Sequence, residues 1–128
     1  MKPELMWLLW AVALTFVQVL VATVGAQLRV GLPTLAANRE NMSEYKGWVG
    51  RAQRAHRNML ENMVLFVPLV LIAVVAGKTN GMTLLGAQIF FMARLVYALV
   101  YYAGIPWLRT GVWAVSVVGM VMIFLQLV

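Results

Sequence analysis

Cysteine is absent from this 128-residue chain. That excludes disulfides, thiolate metal sites and any cysteine nucleophile of its own. Histidine occurs once and carboxylates only four times, too few to furnish a dedicated metal site, and none is expected. Charge is scarce as well: 11% of residues are charged, against about a quarter in soluble domains. No P-loop, no GxGxxG fingerprint and no HExxH motif is present, and neither are tandem repeats or low-complexity segments. What fills the chain is apolar, at 63% hydrophobic residues and a mean hydropathy of +0.87. The formal charge of +6 is therefore read as a device of membrane orientation, and no nucleic-acid partner is expected.

Four apolar runs follow one another. Leu5 to Leu28 is interrupted only by uncharged Thr15, Gln18, Thr23 and Gln27 among its polar groups, and covers the roughly 20 residues that cross a bilayer. Lys2 before it also suits a signal peptide. The apolar part is too long for one and further spans follow, so a retained helix is predicted. Gln18 and Gln27 then need partners in the bundle or at its surface. Arg29 closes the run, and Gly31 and Pro33 mark its exit.

Residues 31–50 form the one substantial polar stretch, a loop with room for a short helical turn, and Trp48 reads as an interfacial anchor. Helices are predicted at about 5–28, 50–76, 82–103 and 110–128. Pro68 should kink the second or free a carbonyl there. The short turn Gly77–Gly81 makes helices two and three antiparallel neighbours. Gly104-Ile105-Pro106 should end helix three, leaving Arg109-Thr110 in the turn. The last span, with Trp113 near its start, is short enough to need tilting or local thinning. The expected fold is an all-α integral membrane protein, one four-helix transmembrane bundle over residues 1–128. So small a bundle has scant interior, so a pocket forms more easily between subunits, which implies a homo-oligomer.

The chemistry gathers on the second helix, in RAQRAHRNMLENMVLF from Arg51 to Phe66. Arg54, Asn58 and Glu61 fall at i, i+4 and i+7 on one face, and Arg57 with Glu61 makes a neighbouring i, i+4 pair. Ionisable groups at the mouth of a spanning helix are functional candidates by default. A snorkelling basic collar accounts for Arg51 and Arg57 but leaves Asn58 and Glu61, which lie deeper, unexplained. Helix three repeats the pattern with Arg94, Tyr97 and Tyr101 at i, i+3 and i+7, with Tyr102 alongside. An aromatic belt would explain the tyrosines but not Arg94, about two turns inside the helix end.

Basic residues flank the spans unevenly. Arg29, Arg39, Lys46, Arg51, Arg54, Arg57 and Arg109 collect on one side, with Lys2 and Lys78 on the other. The positive-inside rule puts the Arg-rich side in the cytoplasm. No secretory, lipidation or organelle signal is visible, and a bacterial inner membrane is expected.

The chain resembles the membrane-associated proteins in eicosanoid and glutathione metabolism (MAPEG), over essentially its whole length. The most specific matches are Arg54-Ala55-His56-Arg57-Asn58 with Glu61, and Arg94-x-x-Tyr97-x-x-x-Tyr101. Gln27-Leu28-Arg29 and Arg109-Thr110 add weaker ones. The resemblance implies a homotrimer with glutathione held between neighbouring subunits near the cytosolic side. It implies that Arg29, Arg54, His56, Arg57, Asn58, Glu61, Arg94, Tyr97, Tyr101 and Thr110 belong to the glutathione site, that Arg109 stabilises the thiolate, and that Tyr97 and Tyr101 assist catalysis. Asn62 departs from the tyrosine of leukotriene-forming members, and Tyr97 from the histidine of prostaglandin-forming ones. The spacing from Tyr101 to Arg109 also differs from that in leukotriene-forming relatives.

Glutathione carries two carboxylates, one ammonium and a thiol. Arginine forks suit the carboxylates, and Glu61 is the one deep anion available for the ammonium. A guanidinium near the sulfur would favour thiolate over thiol. The expected activity is a glutathione-dependent transferase or peroxidase acting on a hydrophobic small molecule that arrives through the membrane lipids. Two alternatives stay open. One is a non-catalytic lipid-binding or scaffold member of the same fold. The other is a small transporter using Arg94 and Glu61, which no half-helix symmetry supports.

Overall fold

A computed structural model describes residues 1–31 and 47–128. Among these residues four helices alternate in direction: α1 (Pro3–Val30), α2 (Gly47–Val75), α3 (Gly81–Ala103) and α4 (Pro106–Leu127). All four are long and apolar enough to cross a membrane. The expected polar loop, with Pro33, Arg39 and Lys46, lies almost entirely outside the described residues.

Local chemistry sets the helix ends. Pro3 and Pro106 occupy the first positions of α1 and α4, where a missing N–H costs nothing. Pro106 is thus a helix start as well as the end of the preceding break. Arg109 and Thr110 consequently lie inside α4, not in a turn before it. The 22 residues of α4 rise about 33 Å, enough to cross a hydrocarbon core of about 30 Å without thinning it. Gly104, at φ 79°, closes α3. Its N–H donates to the Tyr101 carbonyl and the Ile105 N–H to that of Val100, a pattern that requires the left-handed conformation glycine tolerates. Asn80 starts α3 with a capping box: its Oδ1 accepts from the Met82 and Thr83 amides, and Thr83 Oγ1 accepts from the Asn80 amide.

α1 packs on α2 and α3, while α4 packs chiefly on α3 and also on α2. The apolar core centres on Met59, Phe66, Phe90, Ala87 and Ile123, with the Phe66 and Phe90 rings stacked at 3.9 Å. Large apolar side chains such as Leu9, Phe16, Leu71, Leu99 and Phe124 face outward, as hydrocarbon solvent permits. α2 continues through Pro68 without a break in the helix. Trp48 lies within α2, and its ring covers Gly25 of α1, where an added Cβ would sit 3.1 Å from it. Trp48 therefore makes a contact between α1 and α2.

At the end where α1 begins, polar side chains clasp the helices together. Lys2 Nζ donates to Thr79 Oγ1 (3.2 Å), Lys78 Nζ to the Leu127 carbonyl (3.1 Å) and Asn80 Nδ2 to Gln126 Oε1 (2.9 Å). The buried Glu4 carboxylate accepts from Thr83 Oγ1 at 2.7 Å.

Candidate functional site

At the opposite end, where α3 gives way to α4, a polar cleft of about 320 Å³ opens between α2, α3 and α4. Arg54, Arg57, Asn58, Glu61, Tyr97, Tyr101 and Arg109 line it. The helical period supplies the first four from one side of α2 and the two tyrosines from one side of α3. The early start of α4 delivers Arg109 from its first turn. Three guanidiniums and one carboxylate make the lining strongly cationic, with a single anionic position at Glu61.

The floor is packed tightly. Tyr97 and Tyr101 meet edge to face at 5.6 Å over the fully buried Ala55, with Val112 against them. Arg109 Cζ lies 4.5 Å from the Tyr101 ring centre and Arg94 Cζ 4.1 Å from that of Tyr97, both within cation–π range. Arg51 Nε donates to the Tyr102 carbonyl at 3.0 Å and so ties α2 to the last turn of α3. That bond gives Arg51 a use beyond the collar.

The remaining candidates stand apart from the lining. Arg94 is entirely buried beneath the cleft, where Nη2 donates to Asn58 Oδ1 at 2.8 Å and Nε approaches Met59 Sδ at 3.4 Å. His56 is half-buried on another side of α2, and its Nδ1 has no hydrogen-bond partner among the described residues. Arg29 is exposed at the end of α1, beside Gly47, and Thr110 is exposed with its hydroxyl donating back to the Pro106 carbonyl at 3.4 Å. Gln27 is exposed. Gln18 is 1% exposed, and neither of its amide atoms finds a partner among the described residues.

Two members of the site were not singled out as such by the sequence pattern. Asn62 is buried and donates from Nδ2 to the Asn58 backbone carbonyl at 2.8 Å and to Asn58 Oδ1 at 3.1 Å. Its i+4 spacing from Asn58 was the available signal. Below Glu61, an apolar groove of about 470 Å³ follows α2 and α4, lined by Val64, Leu65, Pro68, Leu69, Val117 and Phe124 among others. Its side chains are unremarkable lipid-facing residues until α4 is placed beside α2.

No curated protein and no solved structure matches the chain. The model of the MAPEG family matches residues 5–128. With four membrane-spanning helices and a match along essentially its entire length, the chain belongs to the MAPEG family.

Proposed function

We propose that this protein is a glutathione-dependent transferase or peroxidase that works at the membrane surface. The observation that carries this reading is the convergence of Arg54, Arg57, Asn58, Glu61, Tyr97, Tyr101 and Arg109 on one cleft. The arginines suit the two carboxylates of glutathione, and Glu61 its ammonium. Arg109, held over Tyr101, supplies a cation beside the tyrosine hydroxyls, where the sulfur would ionise below its ordinary value near 8.5.

The bound thiolate then attacks a lipophilic partner resting in the apolar groove one turn below Glu61. With an electrophilic carbon a C–S bond forms and the leaving group departs with its electron pair. With a hydroperoxide the sulfur takes the terminal oxygen, the O–O bond breaks, and an alcohol leaves. A second glutathione converts the resulting sulfenic acid to a disulfide and water. A non-catalytic lipid-binding role would use the groove alone and leaves the cationic cleft without a purpose.

The same reading includes assembly as a homotrimer. Arg54, Arg57 and Glu61 stay exposed in the single chain, and a neighbouring subunit would cover them. Arg29 and His56, which stand off their own chain's cleft, would serve the neighbour's. The Arg-rich end faces the cytoplasm of a bacterial inner membrane. Rapid mixing of the purified protein with glutathione, followed by thiolate absorbance, tests the reading, with a panel of electrophiles and lipid hydroperoxides to identify the chemistry. A thiolate signal and turnover of at least one panel member are expected; no glutathione binding would remove the proposal.

A further inference from the structure

Asn58 is held from two sides by groups whose hydrogen-bonding polarity is fixed. The Arg94 guanidinium only donates, and its Nη2 stands 2.8 Å from the Asn58 side chain. The atom facing it must therefore be the amide oxygen, since a flipped amide would set donor against donor. Asn62 is fixed in the same way, because its NH2 group reaches the Asn58 backbone carbonyl at 2.8 Å and a carbonyl only accepts. From there the same NH2 lies 3.1 Å from Asn58 Oδ1. Two donors thus converge on one oxygen and occupy both of its lone pairs. The Asn58 NH2 group makes no hydrogen bond among the described residues, and Asn58 lines the cleft.

Arg94 cannot itself reach a ligand there, being 0% exposed and stacked on Tyr97. We infer that Arg94 and Asn62 are positioning residues that lock the Asn58 amide oxygen inward, so that Asn58 offers the cleft a donor and never an acceptor. A side chain that can only donate selects an anionic group of the ligand and rejects a cationic one. Glu61, one turn along α2, is left as the only anionic acceptor for an ammonium among the residues that line the cleft. The identity of the ligand as glutathione rests on the function proposed above; the locked amide does not.

The experiment has one arm for each. In ligand-free protein carrying 15N-asparagine, with the signal assigned by its loss in Asn58→Ala, the Asn58 NH2 protons should exchange readily with water. Those of Asn62 should stay protected, and the reverse order would overturn the inference whether or not glutathione binds. In the second arm, Asn58→Ala and Arg94→Met should each weaken glutathione binding by about tenfold, the scale of one hydrogen bond to a charged group. Methionine replaces the buried cation with an apolar chain of similar length. The double variant should bind no worse than Asn58→Ala. Fully additive losses, or unchanged affinity in Arg94→Met, would show that Arg94 does not act through Asn58. A wild type that binds no glutathione would refute the proposed function while the exchange order still decides the amide's orientation.

Discussion

Gly86 of α3 and Gly119 of α4 meet backbone to backbone: a Cβ built on either would stand 2.6 Å from the carbonyl oxygen of the other. The contact closes the far end of the α3–α4 hairpin, whose near end, at the short Gly104–Ile105 connection, carries Arg109 of α4 over Tyr101 of α3. Small residues at such crossings are a general means of helix association in membranes. Alanine at either position must push backbone aside, at about 1–3 kcal/mol, which exceeds the gain of up to ~1 kcal/mol in helix propensity. Gly86→Ala and Gly119→Ala should therefore lower the melting temperature in detergent. Gly111→Ala, with open space around it, should hold or raise it. A lowered melting point for Gly111→Ala alone would contradict the crossing.

The polar clasp at the other end makes a separate prediction. Thr83→Val keeps the side-chain shape but removes the hydroxyl that meets Glu4 at 2.7 Å. A buried carboxylate deprived of its donor costs about 1–3 kcal/mol, so thermal unfolding should come earlier. Asn80→Ala should cost about 1 kcal/mol through the lost cap. Equal melting points for Thr83→Val and wild type would show that Glu4 is satisfied elsewhere.

Much of this architecture was legible in the sequence, for reasons that vary by element. Apolar runs long enough to span a bilayer announced all four helices, and the 3.6-residue period put Arg54, Asn58 and Glu61 on one face. Proline both ends one helix and begins the next, so Pro106 taken only as a breaker starts α4 too late. The Gly86–Gly119 crossing and the Arg94–Asn58 bond stayed hidden. Each depends on how one helix is rotated against another, which local periodicity does not encode. Gln18 lacks a partner among the described residues.

Glu61 should govern binding. Glu61→Gln keeps the volume and removes the charge that would hold the glutathione ammonium. The loss should be ~2 kcal/mol or more by calorimetry, as for a charged hydrogen bond in a site that the proposed neighbouring subunit closes off from water. Unchanged affinity in a correctly assembled variant would remove Glu61 from the site.

Assembly should be inseparable from activity. Native mass spectrometry and cross-linking are expected to show a trimer, and dilution or detergent that separates the subunits should abolish glutathione binding. Active monomers would refute a cleft completed by a neighbour.

The proposed function requires the cleft to hold glutathione and ionise its thiol, with Arg109 the stabilising cation. Thiolate absorbance of bound glutathione, followed against pH in wild type and in Arg109→Leu, tests it most directly. In wild type the bound thiol should ionise well below the value near 8.5 typical of a free thiol. In Arg109→Leu its titration should move up towards that value, with turnover slowed and affinity largely kept. Arg109→Lys should fall between them, since the charge survives without the planar fork. If wild type and Arg109→Leu titrate at the same pH, or bound and free glutathione do, the account is contradicted.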